Sequence, residues 1–409
     1  MECHPLKRGS GSLAVLGSAL CIFWPGALIF GYPGVMAAYW QEVFHVGRGA
    51  IGNILFFVLS AVGLLMFFVG RWQKRFGLRK MMFLGTFICG LPLLILAFTP
   101  NLYLLYLWAF LTGAASCFIY IPALTIVQAW YPERRGLVTG IVNFVFAASA
   151  AGMAPLFNRM FRSMGYRPMN LLLMILVIAT GLVAVAMTGM PGREHAARGN
   201  RASQMAPGDD LTVGQAVRTR SFWFLWGVWA LQGAAGISMV TLAIPFGKSK
   251  GLSVGLAVGI LTAFNLTSGI SRLVIGSLSD RVGRNVLMSL SFFAAAAAYF
   301  TLPHVSSAGA IMVLAAMIGV AFGTQFAVSA PLVTDCFGLA HFGAIFGLVF
   351  TAYGFVSGLI GPTLSGVLLD ITRGNFTVVF SNLGLFCLVS SGLILGVRKV
   401  HGAKFKARD

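Results

Sequence analysis

Apolar residues in this chain come in long unbroken runs, neither alternating nor confined to one helical stripe. Twelve runs stand out, at about residues 12–38, 50–70, 80–99, 102–130, 136–158, 169–190, 221–246, 253–278, 286–303, 307–334, 342–369 and 375–397. A helix needs about 20 apolar residues to cross roughly 30 Å of hydrocarbon. Strands of a membrane barrel would instead show ~10-residue segments of alternating hydrophobicity. The pattern therefore predicts an all-α membrane protein with twelve transmembrane helices. The first run, preceded by Lys7 and Arg8, has the outline of a signal peptide. It continues well past Cys21 without a small-residue cleavage site, so it is read as span 1.

Composition narrows the class. Residues are 58% hydrophobic and only 10% charged, and mean hydropathy is +0.87, against about 25% charged in soluble domains. A soluble enzyme, a disordered chain and a small disulfide scaffold are excluded. The 50 glycines suit close approach of membrane helices. Formal net charge is +19, from 29 Lys and Arg against 10 Asp and Glu. A basic chain often signals nucleic acid, but here the charges gather in alternate loops. They lie before span 1 (Lys7, Arg8), between spans 2 and 3 (Arg71, Lys74, Arg75, Arg79, Lys80), and between 4 and 5 (Arg134, Arg135). They recur between 6 and 7 (Arg193, Arg198, Arg201, Arg218, Arg220), between 8 and 9 (Arg281, Arg284), and after span 12 (Arg398, Lys399, Lys404, Lys406, Arg408). The opposite loops hold few, such as Arg48, Lys248 and Arg373. The positive-inside rule predicts a multi-pass inner (plasma) membrane protein with both termini cytoplasmic, touching anionic lipid and not nucleic acid. The six cysteines form no Cys-x-x-Cys, and the six histidines are scattered. No metal, cofactor or nucleophile–base pair is expected, and an enzyme is the least favoured class.

Two segments repeat at a fixed spacing. Gly70-Arg-Trp-Gln-Lys-Arg-Phe-Gly77 aligns with Gly276-Ser-Leu-Ser-Asp-Arg-Val-Gly283, 206 residues later. Gly136, Gly140 and Pro155 align with Gly343, Gly347 and Pro362, 207 residues later. Two pairs with nearly one offset imply a duplicated six-span unit. The expected division is an N-terminal half at 1–190, a cytoplasmic linker at 191–220 and a C-terminal half at 221–409.

The stretch Gly276–Arg284, G-x-L-S-D-R-x-G-R, resembles the signature loop of the major facilitator superfamily, which recurs between spans 2–3 and 8–9. The resemblance covers the whole chain and implies two six-helix pseudo-repeats, the major facilitator fold. The candidate gating residues are Gly276, Asp280, Arg281, Gly283 and Arg284, with Arg75 and Gly77 in the first copy. Gly276 permits close helix contact. Asp280 and Arg281 either pair to lock the cytoplasmic side when the outside is open, or serve only as loop charges that fix topology. The first copy departs from the pattern: Lys74 stands where the family has Asp. Trp130-Tyr-Pro-Glu-Arg-Arg-Gly136-Leu-Val-Thr-Gly140 is similar to the W-[FY]-P-x-R-R-G-x-x-x-G stretch of the monocarboxylate porter and oxalate:formate antiporter group. The segment Arg218–Trp226 before span 7 and the lone Arg272 in span 8 also resemble that group.

Arg272 is the most informative residue on physical grounds. It precedes Gly276 by four residues and lies about 9 Å inside the cytoplasmic end of span 8, at about 1.5 Å per residue. A charge at mid-membrane costs at least ~2.5–3.5 kcal/mol and usually faces a cavity or a partner. All ten acids fall in loops, termini or span ends, so no membrane carboxylate is expected to pair with it. A guanidinium so placed calls for an anion, and its planar fork fits a carboxylate. The other reading is that Arg272 snorkels to the headgroups. The matching first-half position is Met66, so the repeat itself does not require an Arg there.

In the resembled group, span 8 carries the substrate-binding Arg. Asn265 and Ser268 lie on the same helical face as Arg272. Proton-coupled animal members carry Asp four residues before this Arg; here Ser268 stands there and that relay is unavailable. The oxalate-exchanging relative has a Lys in span 11, where this chain aligns Phe350. One cation with an apolar neighbour favours a monocarboxylate over a dicarboxylate. Tyr120 either donates to the carboxylate or packs in the core. Gln325 either lines the cavity or bonds a neighbouring helix. Leu28 and Phe30 either form an apolar wall or pack in the core. Trp223, Trp226 and Trp229 are expected in an interfacial belt.

The expected function is secondary active transport of a short monocarboxylate of the lactate or pyruvate kind, proton-linked, by a monomer working through alternating access. Exchange of organic anions, oxalate or formate among them, is the alternative, and a non-transporting membrane sensor is a third.

Overall fold

The computed structural model describes residues 11–46, 48–98, 101–191 and 210–399. Among them are twelve helices long and apolar enough to span a membrane. They are α1 Gly11–Phe44, α2 Asn53–Phe76, α3 Leu78–Phe98, α4 Leu102–Trp130, α5 Arg135–Met164 and α6 Tyr166–Met187 in the first half. The second half holds α7 Arg220–Ser249, α8 Val254–Val282, α9 Arg284–His304, α10 Ala308–Phe337, α11 Phe342–Ile371 and α12 Phe376–Leu395. Local chemistry sets several starts. Asn101, Thr219, Ser253 and Asn375 each accept a hydrogen bond from a backbone N–H of the first turn, satisfying donors that have no intrahelical partner. Gly77 and Gly283, the paired glycines of the repeat, turn the chain at φ 87° and 108°, a conformation that side chains with a Cβ disfavour.

Several helices outrun their apolar stretches. α2 continues through Arg71, Lys74 and Arg75 to Phe76, and α8 through Asp280 and Arg281 to Val282. These charges sit on helix ends, not in loops as the apolar pattern alone suggests. Hydrocarbon limits only about 20 residues of a helix, and beyond it a charged turn is solvated as well on a helix as off one. Most of the expected linker, residues 192–209, lies outside the described residues, as do Lys7, Arg8, Arg193, Arg198, Arg201, Lys404, Lys406 and Arg408. The end of that stretch is packed: Leu211 is buried, its N–H donates to the Phe337 carbonyl at 3.0 Å, and a short helix spans Val213–Val217.

The two halves meet along matched glycine seams. A Cβ added to Gly136 would stand 2.1 Å from the Gly276 carbonyl oxygen, and one on Gly140 2.3 Å from that of Arg272. The repeat partners behave alike. A Cβ on Gly70 would stand 2.0 Å from the Gly343 oxygen, and one on Gly347 2.5 Å from that of Met66. Only residues without a side chain let α5 lie on α8, and α2 on α11, at backbone contact. Both seams lie toward the end carrying the α2–α3, α4–α5, α8–α9 and α10–α11 connections, here the loop end. On the same face of α8, Gly269 has no atom within 4 Å of an added Cβ, and Asn265 is exposed. The α5–α8 contact therefore stops at Arg272. Packing follows this geometry: one buried apolar cluster runs through both halves, while a second, from Trp24 to Val177, belongs to the first half alone. The molecule is closed at the loop end.

Candidate functional site

Arg272 lies where the seam ends. It is 6% exposed, and its Nη1 donates to the backbone carbonyl of Asn143 on α5 at 3.1 Å. Its Cζ stands 4.7 Å from the ring centroid of Phe326 on α10, a cation–π contact. Nε is buried without a partner. The titratable side chains beside it are Tyr120 and Tyr353. The ion pairs of the described residues join Arg135 and Arg284 to Asp280 and Asp335, and none of them includes Arg272.

Tyr120 and Phe350 join it. The Tyr120 hydroxyl donates to Asn143 Oδ1 at 2.8 Å, and its ring centroid lies 6.1 Å from that of Phe350. Phe350 sits 4.3 Å from Trp229 and 5.3 Å from Tyr353, and Tyr353 is 5.6 Å from Phe326. α4, α5, α7, α8, α10 and α11 thus converge on one guanidinium walled by aromatic rings. Trp229 Nε1 is a second buried donor with no partner. Arg272 Nε and Trp229 Nε1 are thus two free donors in one aromatic cluster.

The other sequence candidates fall elsewhere. Asn265 is exposed two turns from Arg272 toward the far end. Ser268 is buried against α10 at Gly323. Gln325 turns to α7, where its Nε2 reaches the Val228 carbonyl at 3.5 Å, and its Oε1 has no partner. Leu28 is fully buried in the first-half core, within a π-helical turn at Ala27–Gly31, while Phe30 is 50% exposed. Trp229 is fully buried in the aromatic cluster and is no part of an interfacial belt; Trp223 is 53% exposed, and Trp226 bonds the Thr351 hydroxyl. Sequence reasoning missed Asn143, Phe326, Tyr353 and the position of Trp229. The visible signal was an amide and a tyrosine inside apolar runs.

The loop end is held by charges. Asp280 accepts from the backbone N–H of Gly136 at 2.9 Å and of Leu137 at 3.0 Å. It thereby caps α5 across the seam, where the helix dipole favours a carboxylate. Arg284 bridges Asp280, at 2.8 Å, to Asp335, and Arg135 reaches Asp335 at 3.1 Å. The lock uses Arg284, Arg135 and Asp335, not Arg281, which is exposed. Arg281 follows Asp280 directly and so points away from the face of α8 that meets α5. Arg75 is likewise exposed and stacks on Phe76.

In the first half, Lys74 takes the Asp position and meets the start of α11. Its Nζ lies 2.7 Å from His341 Nδ1. This contact requires a neutral imidazole. Burial first, then the Lys74 charge, hold the His341 pKa below its ordinary 6.5, with Asp210 opposing. His341 therefore binds its proton more weakly in the closed form than when released. The contact is fully present above about pH 6.5 and is lost as pH falls below that value. Spin labels on Lys80→Cys and Arg281→Cys, at the loop ends of the two halves, are expected to move apart on acidification. The response is expected to shrink in His341→Gln, whose amide oxygen accepts from Lys74 at any pH.

The sequence model of the major facilitator superfamily matches residues 18–261 and 253–408. The chain belongs to this superfamily. It is 27% identical over 260 residues to the oxalate:formate antiporter of Oxalobacter formigenes, covering 62% of this chain and 59% of that one. It is 20% identical over 448 residues to human monocarboxylate transporter 2, covering 99% of this chain and 91% of that one. The fold is similar to that of the superfamily transporter FucP in its outward conformation, with TM-score 0.72 at 14% identity over 95% of this chain and 99% of that one. This superfamily member is thus a multi-pass membrane transporter, not an enzyme.

Proposed function

We propose that this transporter carries short monocarboxylates of the lactate and pyruvate kind across the inner (plasma) membrane by alternating access, with the loop end cytoplasmic. The observation that carries the reading is Arg272, buried between the halves and ion-paired with no carboxylate among the described residues. Uncompensated charge is too costly to keep in a membrane without use. A substrate carboxylate would take the two outer guanidinium donors, with Tyr120 adding a third. The rings of Phe326, Phe350 and Trp229 offer an apolar wall and supply no second cation, which disfavours oxalate. The basic loop ends support the cytoplasmic assignment. The similarity to human monocarboxylate transporter 2 and to the oxalate:formate antiporter supports an organic anion as substrate.

A second reading, exchange of one anion for another, is favoured by one observation. Among the described residues no Asp, Glu or His adjoins Arg272 to carry a proton. Uptake of labelled L-lactate into proteoliposomes separates the two. Accumulation driven by an inward proton gradient supports proton-linked transport, and uptake only into preloaded vesicles supports exchange. In either case Tyr120→Phe is expected to raise KM by roughly 3- to 10-fold, the worth of one hydrogen bond, with little change in protein yield.

A further inference from the structure

Three polar side chains, one turn apart on α5, face the second half: Arg135, Thr139 and Asn143. Each reaches α10. Arg135 pairs with Asp335, Thr139 Oγ1 donates to the Ala327 carbonyl at 3.0 Å, and Asn143 Nδ2 donates to the Phe326 carbonyl at 3.2 Å. Pro331 has no N–H to give Ala327, so the Thr139 bond fills a need the α10 helix itself creates. The Phe326 carbonyl has no such need, since Ala330 can supply its helical partner. Asn143 also makes the two contacts of the site described above: its Oδ1 accepts from Tyr120, and its backbone carbonyl accepts from Arg272. Seam and site therefore meet at this residue, which donates to the one and accepts from the other.

We propose that Asn143 is a positioning residue that makes opening of the loop end conditional on an anion at Arg272. A carboxylate is a stronger acceptor than a backbone carbonyl or a side-chain amide oxygen. On arrival it takes the Arg272 Nη1 proton from the Asn143 carbonyl and the Tyr120 hydroxyl from Asn143 Oδ1. Asn143 loses two of the contacts that hold it, and its Nδ2, which also donates to the Thr139 carbonyl of its own helix at 2.9 Å, keeps only the 3.2 Å bond to Phe326 across the seam. The empty carrier keeps its seam and the loaded carrier releases it. This inference rests on Arg272 being the anion site, and it gives exchange a physical basis, because reorientation then needs a passenger.

The test uses the full-length protein in lipid nanodiscs, with spin labels on Lys80→Cys and Arg281→Cys in a background whose native cysteines are replaced. Well above pH 6.5, where the Lys74–His341 contact is intact, the wild-type seam is expected to stay closed without anion and to open with pyruvate. Asn143→Ala is expected to shift the open-to-closed ratio roughly threefold or more without any anion, as loss of its one side-chain hydrogen bond across the seam implies, and pyruvate then adds little. Thr139→Val guards against general loosening: it weakens the same seam but keeps the response to pyruvate. An Asn143→Ala protein that stays closed without anion, or opens with pyruvate just as the wild type does, overturns the proposal alone. A wild type that ignores pyruvate, lactate, formate and oxalate overturns the anion-site reading and the proposal with it.

Discussion

Arg272→Ala is expected to abolish saturable anion transport while leaving a folded, membrane-inserted protein. Arg272 is 6% exposed and draws on a backbone carbonyl and an aromatic face, not on a protein carboxylate. Its removal deletes a desolvated charge and strands no acidic partner, so folding suffers little. Substrate binding loses a charge-assisted, two-pronged contact in low dielectric. Truncating one side of such a pair typically costs about 2–5 kcal/mol, or roughly 30- to 4,000-fold in affinity. Arg272→Lys keeps the charge but loses the planar fork, and is expected to fall between the two. Trp229, whose ring is 4.3 Å from Phe350, supplies the readout: pyruvate is expected to change its fluorescence in the wild type and not in Arg272→Ala.

Gly136→Val is expected to abolish transport by a different route, preventing closure of the loop end. An added Cβ at Gly136 stands 2.1 Å from the Gly276 oxygen, helix backbone that no rotamer change relieves, and 2.5 Å from the Ser279 hydroxyl. The helices must separate, which also pulls Asp280 from the N–H groups of Gly136 and Leu137. Overpacking of this kind costs about 1–3 kcal/mol or more, before the lost cap is counted. The labels on Lys80→Cys and Arg281→Cys are expected to report an open loop end. Gly269→Ala, on the same face of α8 but with nothing within 4 Å of the added Cβ, is expected to transport normally. Equal behaviour of the two variants would remove the seam from the mechanism.

The twelve spans were legible because a bilayer imposes one demand, about 20 apolar residues per crossing, that any sequence window can meet or fail. The duplication was legible for a related reason. Gly70, Gly136, Gly276 and Gly343 must all stay small where backbones touch, so their spacing survives where other residues diverge. Arg272 announced itself by cost. Its surroundings did not. Asn143 and Tyr353 are ordinary polar residues in apolar runs, and only packing across the halves brings them to one guanidinium. The charge cluster is only partly legible for the same reason. Arg281 adjoins Asp280 in sequence, but a helix turns adjacent residues to different faces, and the cluster joins Asp280 to Arg284, also a sequence candidate, and through it to Arg135 and the distant Asp335. Trp229 reads as interfacial because tryptophans near helix ends usually are, whereas four aromatic rings, of Phe326, Phe346, Phe350 and Tyr353, enclose it here.

The most direct test of Arg272 as a transport site is counterflow. Proteoliposomes loaded with unlabelled pyruvate are diluted into labelled pyruvate, with no proton gradient or membrane potential, and the label inside is followed with time. This geometry predicts transient accumulation of label by the wild type and none by Arg272→Ala. Accumulation by Arg272→Ala at the wild-type rate would contradict it, and would move the substrate site away from this guanidinium.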